Sequence, residues 1–320
     1  MNRKIIYLSD FFIEHIIGGC ELNDDELIKL LKEKDFKVKK IQSHLANLEF
    51  LYQNKECFFI ISNFCNLSFE CRDWISENCN YIIYEHDHKY LNTRNPANHR
   101  FFKAPQKDLR NFFFYKHAEV VVAQSSFHKE IIEKNLDLDN VFSIGGNLWS
   151  LSSLEKLRNN CKKQKNTKCS VLNSNILHKN TSGAVEYCDK HGLEYELVSS
   201  NAYESFLDKL GANKTFVFLP KTPETLSRVV VEARMMGMSV KTNSLVAACQ
   251  EPWFELKGEP LINHMTEKRQ EIVNFVQKTV ATSQKRSFSP KKVSIISTFY
   301  DGGAHLEGFL ADITNQTEFD

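Results

Sequence analysis

Within PKTPETLSRVVVEARMMG (220–237), two glutamates, Glu224 and Glu232, stand with seven residues between them and Arg228 midway. A proline-marked loop runs into the first glutamate. The second lies inside RVVVEARMMG, which reads as a helix capped by Thr225 or Ser227. A helix rises ~1.5 Å per residue, so eight positions put the carboxylates at most about 12 Å apart. Backbone N–H groups at a helix start have no partner within the helix and attract anions. Arg228 adds a permanent cation with two-pronged geometry suited to phosphate. The stretch can therefore hold a sugar hydroxyl, a diphosphate and a ribose in one line. On spacing alone, a carboxylate favoured by the helix dipole and a second, exposed glutamate explain the pair more simply.

The elements around this stretch change that balance. Short apolar runs at KIIYL (4–8), VKKI (38–41), CFFIIS (57–62), YIIYEH (81–86), EVVVAQS (119–125) and VFSIGGN (141–147) read as strands, several of them buried on both faces. ELNDDELIKLLKEK between the first two has helical spacing at Leu27, Leu30 and Leu31. Residues 151–168 are polar and basic and read as a hinge. The strand pattern then restarts at CSVLNS (169–174), YELVS (195–199), FVFLP (216–220), SVKTN (239–243) and PLIN (260–263), and 266–285 reads as a last helix. Strands alternating with helices imply right-handed βαβ units. The expected fold class is α/β, with two doubly wound, Rossmann-like domains facing a cleft. Ligands in such folds bind at the carboxyl ends of strands, where strand order reverses.

The bulk numbers agree with an ordinary globular chain. The 320 residues predict two domains, and 42% hydrophobic residues supply their cores. With 41 basic and 40 acidic side chains, the charge argues against coating nucleic acid or a membrane over the whole surface. Of the nine cysteines, Cys57, Cys65, Cys71 and Cys79 share one segment, but their spacings match neither zinc ligands nor a redox pair. Free thiols in a cytosolic protein are expected. MNRKIIYLSDFFIEH has no signal-peptide pattern.

The 220–240 region resembles the retaining glycosyltransferases of family four, which have the GT-B fold. Pro223, Glu224, Arg228, Glu232, Ala233, Gly237 and Val240 stand in the places of that family's Glu-x7-Glu signature. Leu226 replaces an aromatic, Ser227 a glycine and Ser239 a proline. The resemblance implies that Glu224 contacts the donor sugar and Glu232 the ribose, and that the amides of Leu226 and Ser227 approach the diphosphate. Gly18 and Gly19 in FFIEHIIGGCEL resemble the family's glycine loop after the first strand, where backbone approaches ligand. LNSNILHKNTSGAVEYC (172–188) resembles the strand–loop–helix whose lysine binds the diphosphate; Lys179 takes that place, just before a helix capped by Asn180 or Thr181. Ser174-Asn175 stands where the family has Gly-Arg, which leaves more of the leaving-group charge to Lys179 and Arg228.

YIIYEHDHKYLNTRNP (81–96) sets Glu85, His86, Asp87 and His88 at a strand's carboxyl end, where four polar groups are hard to bury idly. His86 is the first candidate to touch the donor sugar, as the resemblance implies, with His88 second and Arg94 further back. Glu251 sits where relatives have a glycine-rich loop and is a weak candidate. HRFFKAPQKDLRNFFFYKHAE (99–119) interleaves bases with aromatics. Three readings compete for it: a helix burying Phe112 and Phe113, an acceptor or membrane-surface face, and nucleic-acid stacking. LDLDN (136–140) holds an Asp-x-Asp but reads as a turn.

The expected domains are 1–165 on the acceptor side, 166–288 for the nucleotide-sugar, and 289–320. VSIISTFYDGGAHLEGFLADITNQT (293–317) in the last resembles the opening strand and helix of family-two, GT-A-type glycosyltransferases, and implies a downstream enzyme in a longer polypeptide. The resemblance implies transfer of a sugar from a nucleotide-diphospho-sugar to an acceptor hydroxyl, with retention, no cofactor and no metal. A non-catalytic module that binds nucleotide or glycan is the alternative, and an epimerase or phosphorylase a third reading.

Overall fold

The computed structural model describes residues 3–284; the stretch resembling a second enzyme lies outside them. Among the described residues, ten strands form two parallel sheets. The first holds β1 (Ile5–Ser9), β2 (Val38–Gln42), β3 (Phe58–Ile61), β4 (Asn80–Tyr84), β5 (Val120–Ala123) and β6 (Val141–Ser143), in the order β2-β1-β3-β4-β5-β6. The second holds β7 (Asn166–Leu172), β8 (Tyr195–Val198), β9 (Asn213–Val217) and β10 (Ser239–Lys241), in the order β10-β9-β7-β8. In the first sheet β1, β3 and β4 are buried along their whole length, which is why their sequences are unbroken apolar runs. Chain order reverses between β1 and β3 in one sheet and between β7 and β9 in the other, and the loops leaving these strands meet in one cleft.

Helices cover both faces of the first sheet. On one side lie α2 (Leu48–Gln53), α3 (Phe69–Asn78), α4 (Phe112–Lys116) and α5 (Ser126–Leu136), burying Leu51, Ile75, Phe114 and Ile131. On the other lie α1 (Gly19–Glu33) and the end of α10 (Glu259–Thr282). This last helix starts in the core of the second sheet, with Leu261, Ile262 and Met265, and ends on the first, with Ile272, Val273, Val276 and Val280. At about 1.5–3 kcal/mol per fully buried aliphatic side chain, those four residues are a substantial clamp between the sheets.

Two expectations are corrected. The stretch expected to be a hinge contains α6 (Leu151–Lys162), capped by Ser150, whose Oγ accepts from the Ser153 N–H at 3.0 Å. Leu154 and Leu157 fall on one face and enter the second core, while Lys156, Arg158 and Lys162 lie half-buried or exposed off that face. PLIN is the first turn of α10, not a strand: Pro260 fits a helix start, where its missing N–H is harmless.

Candidate active site

A cavity of about 700 Å³ opens between the carboxyl ends of the two sheets. Nine of the residues singled out from the sequence line it: Gly18 and Gly19 after β1, His86 after β4, Lys179 after β7, and Glu224, Leu226, Ser227, Arg228 and Glu232 after β9; His88, Arg94 and Glu251 do not.

Four helices begin at this cavity: α1, α7 (Thr181–Lys190), α8 (Tyr203–Leu210) and α9 (Arg228–Met235). None has a side-chain cap. Away from it, α2, α3, α5 and α6 are each capped by Asn or Ser, whereas α4 and α10 have no side-chain cap. The expected caps at α7 and α9 therefore fail. Asn180 and Ser227 adopt left-handed backbone, whereas a capping side chain needs extended backbone to reach back to the helix amides. Asn180 Nδ2 instead donates to the Leu219 carbonyl, and Thr181 Oγ1 to that of Leu172. Thr225 Oγ1 donates to the His86 carbonyl. Ser227 has φ +75°, and its buried Oγ has no hydrogen-bond partner. Side chains therefore leave the first amides of α8 and α9 open toward the cavity, while at α1 the Glu21 carboxylate lies over the helix start.

Lys179 meets Glu224 in a two-pronged ion pair, Nζ lying 2.8 Å from Oε1 and 2.9 Å from Oε2. The pair keeps some solvent contact, with side chains 25% and 12% exposed. Arg228 and Glu232 form the second pair, on adjacent turns of α9, with Nε 2.9 Å from Oε1. Here burial is nearly complete, with the Glu232 side chain 2% exposed. Glu232 Oε1 also accepts from Trp149 Nε1 at 2.9 Å and from the Tyr203 hydroxyl at 2.5 Å. Burial, then the Glu232 charge, pushes the Tyr203 phenol up, so it remains a donor. The Arg228 guanidinium lies 4.5 Å over the Trp149 ring and donates to the Leu148 carbonyl at 2.6 Å. Trp149 and Tyr203 escaped the sequence reading, because neither sits in a periodic run that marks its direction.

His86 Nε2 lies 2.9 Å from Asp24 Oδ1, which also accepts from the Tyr7 hydroxyl at 2.8 Å. Asp24 is fully buried. A signal for it existed. Cys20, Asp24, Leu27 and Leu31 follow the 3–4-residue period of α1, so the buried stripe of that helix continues in polar residues toward its start. The ligand atoms of Cys20, Asp24 and His86 lie within 4.8 Å of one another, a sulfur–oxygen–nitrogen set that could hold a zinc-like ion. Asp24 Oδ1 is already engaged by Tyr7 and His86, and burial pushes the Cys20 thiol up.

Of the other polar groups at the end of β4, none lines the cavity. Glu85 is buried against Lys89 and the Tyr115 hydroxyl. Asp87 pairs with Arg94 at 3.2 Å. His88, the second candidate, is buried between the Tyr90 hydroxyl and the Pro223 carbonyl. It straps the Glu224 loop to the first sheet, as does Ser125 Oγ, which donates to the Thr225 carbonyl at 2.6 Å. Glu251 also serves the fold: its Oε1 accepts from the Ser126 N–H and Oγ at the start of α5. Gly18 is extended, and an added Cβ would meet Glu21 Oε2 at 2.4 Å, whereas one on Gly19 would lie 3.7 Å from Arg228 Cδ. The Asp-x-Asp of 136–140 follows the end of α5, with Asp137 as its C-cap, and lies outside the cavity. The expected burial of Phe112 and Phe113 is corrected: both face solvent, and Phe114 and Tyr115 are the buried pair.

Two parallel Rossmann-like sheets with a cleft at their carboxyl ends define the GT-B fold. Two solved structures agree. The catalytic domain of starch synthase IV from Arabidopsis thaliana, bound to ADP and acarbose, matches with a TM-score of 0.55 at 9% identity, over 98% of this chain and 99% of that one. A UDP-forming α,α-trehalose-phosphate synthase from Burkholderia xenovorans matches at 0.50 and 8% identity, over 98% and 99%. The Anabaena protein HepE, in complex with UDP and glucose, aligns at 0.49 and 13% identity, over 87% and 92%. No family model and no curated protein matches the sequence.

Proposed function

We propose that this chain is a retaining glycosyltransferase that moves a hexosyl group from a nucleotide-diphospho-sugar to an acceptor hydroxyl in glycan or polysaccharide assembly. One observation carries the reading: the part-exposed Lys179–Glu224 pair sits among uncapped helix starts, in a cavity large enough for such a donor. In this reading an incoming diphosphate takes Lys179 from Glu224. The freed carboxylate then accepts hydrogen bonds from sugar hydroxyls. Helix-start amides and Lys179 stabilise the charge that grows on the leaving phosphate. The departing phosphate takes the proton of the acceptor hydroxyl as the new glycosidic bond forms. Arg228 and the Glu232 Oε1 that it shares with Trp149 and Tyr203 form the fixed wall against which the ribose lies. No step uses a metal or a cofactor. A cytosolic setting fits the nine free thiols.

The full engagement of Glu232 Oε1 by three donors favours one rival, a module that binds nucleotide or glycan without turnover. The test is titration calorimetry with UDP, ADP and GDP, followed by turnover of the matching sugar donors with EDTA present and NMR of the product anomer. Sugar release or transfer with retained configuration supports the enzyme. Nucleotide binding with no sugar released supports the module.

A further inference from the structure

We infer that the segment from Tyr90 to Ala118 is a docking face for an anionic membrane surface. It contains six Lys and Arg residues against a single acid, Asp108, in a chain whose whole net charge is +1. All six bases are exposed, and none of the ion pairs among the described residues uses Arg100, Lys103, Lys107, Arg110 or Lys116. Their charge is therefore not spent inside the protein.

The aromatics of the same segment are divided by burial. Phe114 and Tyr115 enter the core on one face of the first sheet, and Phe102 packs against it. Phe101 and Phe113 leave the same layer outward, 70% and 64% exposed. Phe101 and Phe102 are consecutive and both adopt left-handed backbone, φ +56° and +61°. Bulky side chains rarely tolerate that conformation, and two in succession point to a functional demand. Here it aims Phe101 at solvent while Phe102 packs inward against Phe127.

The occupant follows from how the rings are used. Arg100 lies 4.7 Å over the Phe101 ring and Lys116 lies 5.7 Å over the Phe112 ring, while Phe112 and Phe113 meet edge to face at 5.5 Å. Faces covered by cations, and rings packed on each other, are poor platforms for stacked bases. Rings flanked by bases are suited to enter the headgroup boundary, apolar edge first, with the cations left among lipid phosphates. A second copy of the chain would bring like charges together. This inference does not depend on the sugar-transfer reading.

The test is cosedimentation of the whole chain with vesicles of phosphatidylcholine alone and of phosphatidylcholine with phosphatidylglycerol. Binding only to the anionic vesicles is expected, weakened by added salt. Phe101→Ser with Phe113→Ser, and separately Lys103→Glu with Lys107→Glu, should each weaken it by about tenfold or more. Nucleotide binding by the same variants should not change, which separates this outcome from any failure of the proposed enzyme. No partition to anionic vesicles, equal partition to neutral ones, variants that bind like the parent, or tighter binding to an oligonucleotide would each overturn the inference.

Discussion

Lys179 and Glu224 come from loops after different strands, β7 and β9, yet Nζ lies within 2.9 Å of both carboxylate oxygens. The lysine that would bind diphosphate and the acid that would bind sugar thus neutralise each other until a donor separates them. Glu224→Ala should lower transfer by about 100-fold or more, since it removes a group aimed at the reacting sugar. It should leave nucleoside diphosphate binding equal or tighter, because Lys179 loses its competitor. Lys179→Ala should weaken diphosphate binding by about tenfold or more. Calorimetry and single-turnover rates separate the two effects, and unchanged turnover in Glu224→Ala would defeat the assignment.

The Arg228–Glu232 pair should behave oppositely. Glu232→Ala leaves a buried guanidinium with no carboxylate, for which a loss of about 3–5 kcal/mol is expected. Urea unfolding monitored by tryptophan fluorescence reads it directly. A loss below about 1 kcal/mol would mean that water already reaches this pair.

Ser227 stands in left-handed backbone with an unpartnered hydroxyl. Ser227→Gly should stabilise the chain by about 1–2 kcal/mol, by removing the Cβ strain and the buried oxygen together. Denaturant midpoints for the two proteins test it. A less stable glycine variant would show that the serine makes a contact here.

His86 is oriented by a buried carboxylate, Asp24, which Tyr7 orients in turn. Asp24→Asn keeps the shape and removes the charge. Turnover should fall by about 100-fold with little change in nucleotide affinity, if His86 acts on the sugar. Tyr7→Phe should have a smaller effect in the same direction.

His128 is buried as a neutral ring: Nδ1 accepts from the Gln124 N–H at 3.2 Å, and Nε2 lies 3.0 Å from the Asp87 carbonyl. Burial, then neighbouring His88, holds its pKa well below the ordinary value. The unfolded chain therefore binds the proton first. The stability contributed by His128 is fully present above the ordinary histidine value of about 6.5 and is lost as pH falls below it toward the depressed folded value. The urea midpoint should drop between neutral and mildly acidic pH, and His128→Asn should flatten that drop.

The sequence by itself determined most of the element types and most residues of the candidate site. Fully buried strands must be continuous apolar runs, and β1, β3 and β4 are. Glu224, Arg228 and Glu232 carry their spacing on their face, and a loop after a strand in a doubly wound fold can face only one crevice. Composition misled where period would have served, as at α6, whose bases hid the Leu154 and Leu157 stripe. What the tertiary structure alone decided was who pairs with whom. Trp149, Tyr203 and Asp24 reach the site from elements distant in sequence, and the pairing of Lys179 with Glu224 spans two loops. Phe113 faces solvent and Phe114 the core because α4 is a single short turn fixed by what lies beneath it. Local chemistry sets which conformations each segment can adopt, but long-range packing selects the neighbour that satisfies a buried charge.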